Sequence, residues 1–149
     1  MKLPGVVFVT GAASGIGRAV AVRLASEGSA VVVADTDLAN GEATCAAITS
    51  AGGNAICQEV DVRDRDSIRS AADEATRRFG GINGLVNCAG LVTMTSLADL
   101  TEEEWDLVVD VNLKGTWLAT QEVARDIAAS GGGAVVNIST VEALSLIHI

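Results

Sequence analysis

A glycine-rich turn after the first apolar run constrains the fold of this chain more than any other stretch. Residues 6–9 are apolar, Gly11, Gly15 and Gly17 follow with the spacing G-x-x-x-G-x-G, and the segment 18–27 is amphipathic. Glycines allow a sharp exit from a strand, close approach of a diphosphate and tight packing of a helix on a sheet. The open amides of a helix N-terminus favour an anion. The stretch therefore predicts a strand, a phosphate-binding turn and a helix.

Short apolar runs and helical patterns alternate along the rest of the chain. Continuous apolar runs are typical of parallel strands covered on both faces, and glycine pairs and acidic caps mark helix ends. The predicted strands are residues 6–9, 30–35, 55–60, 85–87 and 134–138, and the predicted helices are 18–27, 37–51, 64–79 and 101–130. This alternation predicts an α/β fold with a doubly wound parallel sheet in the order 3-2-1-4-5.

The composition suits one well-buried domain and argues against two classes of partner. The chain has 149 residues, of which 49% are hydrophobic and 19% charged, and its net charge is -9. An acidic surface repels a phosphate backbone, so we expect no nucleic acid and no membrane surface as partner. No stretch reaches the roughly 18 unbroken apolar residues of a membrane helix.

The cysteine pattern predicts reduced thiols and no metal centre. Cys45, Cys57 and Cys88 are odd in number, widely spaced and without a C-x-x-C pair, which is typical of a cytoplasmic protein. We expect all three to be small packing residues. The only histidine is His148, so no cluster has the composition of a metal site.

Polar residues end the predicted strands, and in such a sheet ligands bind beyond the carboxyl ends of the strands. Asp35 lies 18 positions after Gly17, close to the separation at which an acid meets the adenosine ribose of NAD and repels a 2′-phosphate. Asp35 could instead cap the next helix, although Asp37 is better placed to do so. Asp61 is either a ligand residue or an ordinary turn residue.

Asn112 lies in the apolar stripe of the predicted long helix. Val108, Val111, Gly115 and Ala119 share this face at three- and four-residue spacing. The pattern predicts a buried amide that needs partners, which are either reacting groups or nearby backbone atoms.

Ser139 and Thr140 end the predicted fifth strand at the same edge. Hydroxyl groups there can hold a substrate carbonyl or simply bond the backbone. The chain has no G-x-S-x-G segment, which disfavours a serine hydrolase.

With these residues placed, the chain resembles the short-chain dehydrogenase/reductase family from about residue 6 to about residue 143. Any one of its motifs is weak alone, whereas four in order at the right intervals are specific. They are T-G-A-A-S-G-I-G at 10–17, N-C-A-G at 87–90, D-V-N-L-K-G at 110–115 and V-N-I-S-T at 136–140.

The resemblance implies an oxidoreductase that moves hydride between a nicotinamide and an alcohol or ketone. NAD is implied rather than NADP, because positions that are basic in NADP-using relatives hold Ser14 and Thr36. Asn112 is implied to hold a water of the proton relay, and Thr140, or Ser139 before it, to orient the substrate carbonyl. The implied cofactor contacts are Thr10, Gly11, Ser14, Gly15, Ile16, Gly17, Asp35, Asp61, Val62, Asn87, Ala89 and Gly90. The parent protein is implied to be a homotetramer or homodimer assembled through the long helix.

Three features depart from the family pattern. Cys88 replaces an asparagine, Thr140 stands at the catalytic serine, and the chain contains no tyrosine, although the family's proton donor is a tyrosine. We therefore expect residues 1–143 to be an incomplete NAD(P)-binding Rossmann domain, an N-terminal fragment truncated before the remaining strands and inactive alone. Residues 144–149 are expected to be a non-native tail, because L-S-L-I-H-I, read back as CTG TCT CTT ATA CAC ATC, resembles a transposon end used in sequencing libraries.

Two alternatives stay open on the sequence. A non-catalytic dinucleotide-binding module is compatible with the lack of tyrosine. A different Rossmann enzyme, such as a methyltransferase, shares the glycine turn and the acid-ended second strand, but the segments 87–90 and 110–115 argue against it.

Overall fold

The five predicted strands form one parallel sheet in the order β3-β2-β1-β4-β5, as the sequence predicts. A computed structural model describes residues 5–140 of the chain. In chain order the elements are β1 Val6–Thr10, α1 Gly15–Ser26, β2 Ala30–Asp35, α2 Leu38–Ser50, β3 Asn54–Glu59, α3 Arg65–Phe79, β4 Gly84–Asn87, α4 Glu102–Val109, α5 Thr116–Ala129 and β5 Ala134–Asn137.

Strand β1 lies at the centre of the sheet, where the strand order reverses. Val9 pairs with Val33 of β2 on one side and with Val86 of β4 on the other. The crossovers on the two sides of β1 therefore run in opposite directions. This leaves a crevice at the carboxyl end of β1, which is where ligands bind in sheets of this kind.

Two apolar layers cover the two faces of the sheet. Phe8 points into the layer that contains Ile68 of α3 and Val123 of α5. Its neighbour Val9 points the other way, into the layer that contains Ala21 of α1 and Ile48 of α2. Because side chains alternate along a strand, β1 is buried on both faces, which explains its unbroken apolar sequence.

The predicted starts of three helices, at residues 37, 64 and 101, are N-cap positions in the structure. Asp37 and Asp64 each accept a backbone N–H in the first turn of α2 and α3, and Gly80 ends α3 with φ of 88°. Thr101 and Glu104 form the reciprocal bonds of a capping box at the start of α4. Each bond supplies a partner to a backbone group that the helix itself leaves unpaired.

The predicted long helix 101–130 is not a continuous α-helix. Asp110–Gly115 forms a π-helical turn between α4 and α5. At this turn the helix passes the β3–α3 connection at close range, because a Cβ at Gly115 would lie 2.6 Å from a methyl of Val62. The sequence pattern does not reveal this turn, because the three- and four-residue apolar spacing predicts a regular α-helix and π-helical turns are rare.

The three cysteines are free and half-buried, and they pack against the layer formed with α1 and α2. Burial raises the pKa of all three thiols, and that of Cys45 rises to about 12. The thiolate is the reactive form, so these groups behave as the packing residues that the sequence predicts.

Some expectations fall on residues that the structure does not describe. The proposed tail 144–149, with His148, lies outside the described residues 5–140. Within that range no helix has the length and apolar character needed to cross a bilayer. Within the same range no three acidic, cysteine or histidine side chains are grouped so that they could hold a metal ion.

Candidate functional site

A cavity of about 630 Å³ lies at the carboxyl edge of the sheet, between the glycine turn and the ends of β2, β3 and β4. It is lined by Gly11, Ser14, Gly15, Ile16, Gly17, Asp35, Thr36, Val60, Asp61, Val62, Arg63, Cys88, Ala89, Gly90, Leu91, Leu107 and Val111. Every residue implied to contact a cofactor is in this set except Thr10 and Asn87. The strand ends thus meet in space as their sequence positions predict.

The glycines of the turn have different surroundings. A Cβ at Gly17 would overlap the carbonyl oxygen of Gly11, and a Cβ at Gly11 would lie 2.8 Å from the backbone of Ala89. Gly15 has φ of 51° and nothing within 4 Å of its Cβ position. Gly11 and Gly17 therefore hold backbone segments together, whereas Gly15 leaves the cavity wall open.

The N-terminus of α1 borders the cavity without a side chain to neutralise it. Ser14 is the N-cap, but its side chain makes no capping hydrogen bond, and the first turn contains no acidic residue. The first amides of a helix have no partner within the helix, and the helix dipole adds partial positive charge there. This end of the cavity can accept an anion.

Asp35 links the glycine turn to the start of α2. Its Oδ2 accepts the backbone N–H of Ala13 at 2.9 Å, and its Oδ1 accepts that of Asp37 at 3.0 Å. Asp37 in turn caps α2, as the sequence analysis expects. The Asp35 carboxylate is consequently held in one place at the cavity wall, one strand away from the glycine turn.

Thr10 lies beneath the cavity rather than in its lining. The buried hydroxyl oxygen accepts the backbone N–H groups of Cys88 and Ala89, both at 3.1 Å. These bonds fix the segment after β4 against the end of β1. Thr10 therefore shapes the wall on which Ala89 lies.

Asn87 is also buried behind the wall. Its amide nitrogen donates to Thr120 Oγ1 at 3.1 Å and to Asn137 Oδ1 at 2.8 Å, which ties β4 to α5 and β5. Its Oδ1 is buried and has no hydrogen-bond partner among the residues that the structure describes. A buried amide oxygen left unpaired has room for a further donor.

Asn112 is exposed, so the predicted burial of its amide is wrong. The π-helical turn carries its side chain toward the loop after β4, where Oδ1 accepts from Leu91 N at 2.9 Å and Nδ2 donates to Leu91 O at 2.8 Å. An asparagine amide has two donor hydrogens and two acceptor lone pairs. Of the two kinds of partner that the sequence allows, the structure therefore shows backbone atoms.

Ser139 and Thr140 are exposed residues that follow β5. Neither is in the lining of the cavity. The structure thus brings together the implied cofactor contacts, but it does not bring these two hydroxyls to the same wall.

Arg63 lines the cavity although no sequence motif identified it. Its Nε lies 3.0 and 3.1 Å from the two carboxylate oxygens of Asp61, and its Nη2 lies 2.6 Å from Oδ2. Hydrogen bonds from Arg63 lower the pKa of the Asp61 carboxyl and raise the pKa of the guanidinium. The one signal in the sequence is the two-residue spacing, which lets an arginine after a strand fold back on an aspartate.

The sequence of the chain matches that of a known protein family over most of its length. The sequence model described as short chain dehydrogenase matches residues 5–147. The chain belongs to the short-chain dehydrogenase family.

Curated proteins of this family are similar over most of the chain. The short-chain reductase protein NovJ of Streptomyces niveus is 44% identical and covers 93% of the chain. The (3R)-3-hydroxyacyl-CoA dehydrogenase of Mus musculus is 40% identical over 90% of the chain, and the 3-oxoacyl-[acyl-carrier-protein] reductase FabG of Thermotoga maritima is 36% identical over 95%. The matches cover 53%, 55% and 58% of these relatives, so the chain spans about half their length.

A solved structure also matches this short-chain dehydrogenase chain. The crystal structure of gox2181 superposes with a TM-score of 0.91 at 28% identity and covers 98% of the chain. The matched region is 57% of that protein. The family consists of oxidoreductases that generally use nicotinamide dinucleotides, and the cavity lies where the sheet topology places such a ligand.

Proposed function

We propose that this short-chain dehydrogenase chain binds NAD in preference to NADP and forms the cofactor half of an enzyme that oxidises an alcohol or reduces a ketone. The observation that carries the proposal is the open side of Gly15 at the cavity wall, next to the uncapped N-terminus of α1. A diphosphate can approach the backbone there without meeting a side chain.

The other groups that line the cavity fit the rest of a dinucleotide. Asp35 supplies a carboxylate at the end of β2, where an adenosine ribose next to the diphosphate would lie. Ala89 and Gly90 line the opposite side of the glycine turn, where the nicotinamide half would lie. The cavity thus has a place for both halves on either side of β1.

Asp35 and Thr36 support NAD over NADP. The Asp35 carboxylate is held by two backbone N–H groups and stays at the wall. A 2′-phosphate on the adenosine ribose would meet this negative charge at short range, whereas two ribose hydroxyls can donate to it. Thr36 beside it offers no positive charge to offset the repulsion.

The bound nicotinamide would supply hydride acceptance and donation at its C4 carbon. Within this chain we assign Asn112 to hold a water of the proton relay, since it keeps one donor and one acceptor after bonding Leu91. Thr140, or Ser139 beside it, is assigned to orient the substrate carbonyl on the basis of the family resemblance, although neither residue lines the cavity. The substrate class rests on what the names of two relatives have in common: a hydroxyacyl and an oxoacyl group each contain a carbon that can be oxidised or reduced.

The 149-residue chain should bind the cofactor without turning it over. It contains no tyrosine, and the family resemblance assigns proton donation to a tyrosine. NADH-dependent ketone reduction by this purified chain would contradict this part of the proposal.

Calorimetric titration tests the proposed cofactor. Separate titrations of the 149-residue chain with NADH, NADPH and S-adenosylmethionine should give one NADH site per chain, weaker NADPH binding and no heat with S-adenosylmethionine. Tighter binding of S-adenosylmethionine than of NADH would replace the dehydrogenase assignment of this site with a methyltransferase assignment. Equal affinities for NADH and NADPH would remove the role given to Asp35.

A further inference from the structure

Arg63 has a fixed orientation at the cavity wall that its sequence position does not explain. Three contacts of 2.6 to 3.1 Å join its guanidinium to the Asp61 carboxylate, and its own backbone N–H adds a fourth bond to Oδ1 at 2.9 Å. About 44% of the side chain is nevertheless exposed. The group is thus held firmly on one side and open on the other.

The bonds to Asp61 use only one edge of the guanidinium. Nε and Nη2 point at the carboxylate, so these hydrogen bonds lie in the plane of the group and do not use its flat faces. The same bonds occupy both Asp61 oxygens. A carboxylate engaged in this way is less able to accept a further donor from a ligand, whereas the guanidinium face stays available.

The order of the strand ends indicates which part of a dinucleotide reaches Arg63. The glycine turn follows β1, Asp35 ends β2, and Asp61 with Arg63 follows β3. These strands are adjacent in the sheet, so diphosphate, ribose and base would follow one another across their ends. The base at this end of the cavity is an aromatic heterocycle, and guanidinium planes stack on such rings.

We propose that Arg63 stacks its guanidinium face on the adenine ring of the bound dinucleotide and that Asp61 is the positioning residue that holds it there. This inference rests on the proposed function. A phosphate group would use an N–H edge of the guanidinium, and Asp61 already takes the edge formed by Nε and Nη2.

Fluorescence titrations with NADH and NADPH test the stacking. Arg63→Ala should weaken both cofactors by a similar factor of roughly 2- to 30-fold, the range of cation–π contacts. Arg63→Lys should weaken them to nearly the same extent, because a lysine keeps the charge but lacks the planar face. Arg78→Ala removes an exposed arginine of α3 and serves as the matched control, with binding unchanged.

The outcomes separate this inference from the proposed function. Wild-type affinity in Arg63→Ala would overturn the stacking alone, and wild-type affinity in Arg63→Lys would show that charge is sufficient and overturn it as well. A loss confined to NADPH would mean pairing with the 2′-phosphate, which also contradicts stacking. Failure of the unsubstituted chain to bind NADH would instead overturn the proposed function, and the inference with it. Circular dichroism melting of each variant confirms that it is folded.

Discussion

Gly15 has a backbone conformation that favours glycine, and it lies where the proposed diphosphate would approach the chain. Its φ of 51° is left-handed, and the space beside it is open. Gly15→Ala should lower the free energy of unfolding by about 1–2 kcal/mol, the cost of a left-handed L-residue. It should also weaken NADH binding at least about tenfold, which corresponds to 1.4 kcal/mol, because the methyl group enters the path of the diphosphate. Urea unfolding and NADH titration measure the two effects.

Gly52→Ala is the matched control for this substitution. Gly52 also has a positive φ, 85°, and nothing within 4 Å of its Cβ position, but it lies after α2 away from the cavity. It should lose comparable stability and keep its NADH affinity. An equal loss of NADH affinity in both variants would show that the effect at Gly15 is strain transmitted through the fold and not contact with the ligand.

Single residues also show where sequence reasoning reaches its limit. The separation between Gly17 and Asp35 predicts the place of Asp35 at the cavity wall, because β2 ends next to β1 in any sheet of this order. Helical spacing predicts a buried Asn112, because it cannot reveal the π-helical turn that redirects the side chain toward Leu91. Arg63 was missed because an arginine in a loop carries no periodic signal, and its position depends on the side-chain geometry of Asp61.

At the scale of elements, the π-helical turn connects the long helix with the loop after β4. Asn112 makes two hydrogen bonds to the peptide groups of Leu91, which lines the cavity. Asn112→Ala removes both bonds, so the Leu91 amide should exchange with solvent roughly 2- to 10-fold faster in hydrogen-exchange measurements. Leu113→Ala changes the next, exposed residue and should leave this amide unaffected. Unchanged exchange in Asn112→Ala would mean that other contacts hold the loop.

The start of α4 holds the other end of the same loop through Glu104. Hydrogen bonds from the Thr95 hydroxyl, and then from the Thr101 backbone, lower the pKa of the Glu104 carboxyl below its ordinary value of 4.5. The stabilisation by these bonds is therefore present above about pH 4.5 and is lost as the pH falls through the lower folded-state value.

Glu104→Gln tests this pH dependence, because the amide is neutral at every pH. The wild-type chain should be more stable than the variant near neutral pH, and the difference should shrink toward zero in acid, as measured by urea unfolding at a series of pH values. Glu103→Gln, an exposed neighbour in the same helical turn, controls for the loss of a charge near the helix dipole. A difference that stays constant with pH would contradict the assignment.

The order of elements was predictable because three independent signals coincide along the chain. Apolar runs mark the buried strands, caps such as Asp37 and Asp64 mark helix starts, and glycines such as Gly80 mark helix ends. The predicted first helix began too late, at residue 18, since α1 starts at Gly15 inside the turn itself. Glycine lowers helix propensity, but here the packing of Gly17 on Gly11 stabilises the helical conformation.

At the scale of the whole molecule, large exposed apolar side chains lie on the long helix, around β5 and in the loop after β4, where Val92, Met94 and Leu97 are the most exposed. Trp105, Leu113 and Trp117 on the long helix are between 54% and 69% exposed. Large exposed apolar surfaces mark interaction sites, and the expectation of a homodimer or homotetramer places the contact on this helix. We propose that copies of the chain associate through it.

Leu113→Glu should shift the chain toward the monomer, since a carboxylate would be buried without a partner in the contact. Light scattering coupled to size exclusion measures the mass. Val22→Glu, which adds the same charge on the exposed side of α1, should leave the mass unchanged. A wild-type chain that already has the mass of one copy would contradict association through the long helix.

The most direct test of the proposed dinucleotide site is an NMR titration of the ¹⁵N-labelled chain with NADH. The cavity predicts saturable shifts of the backbone amides from Gly11 to Gly17 and from Asp61 to Arg63, with little change on the exposed face of α3 around Arg77. Saturation with all of these amides unmoved, or shifts centred on α3, would contradict the placement of NAD at the glycine turn.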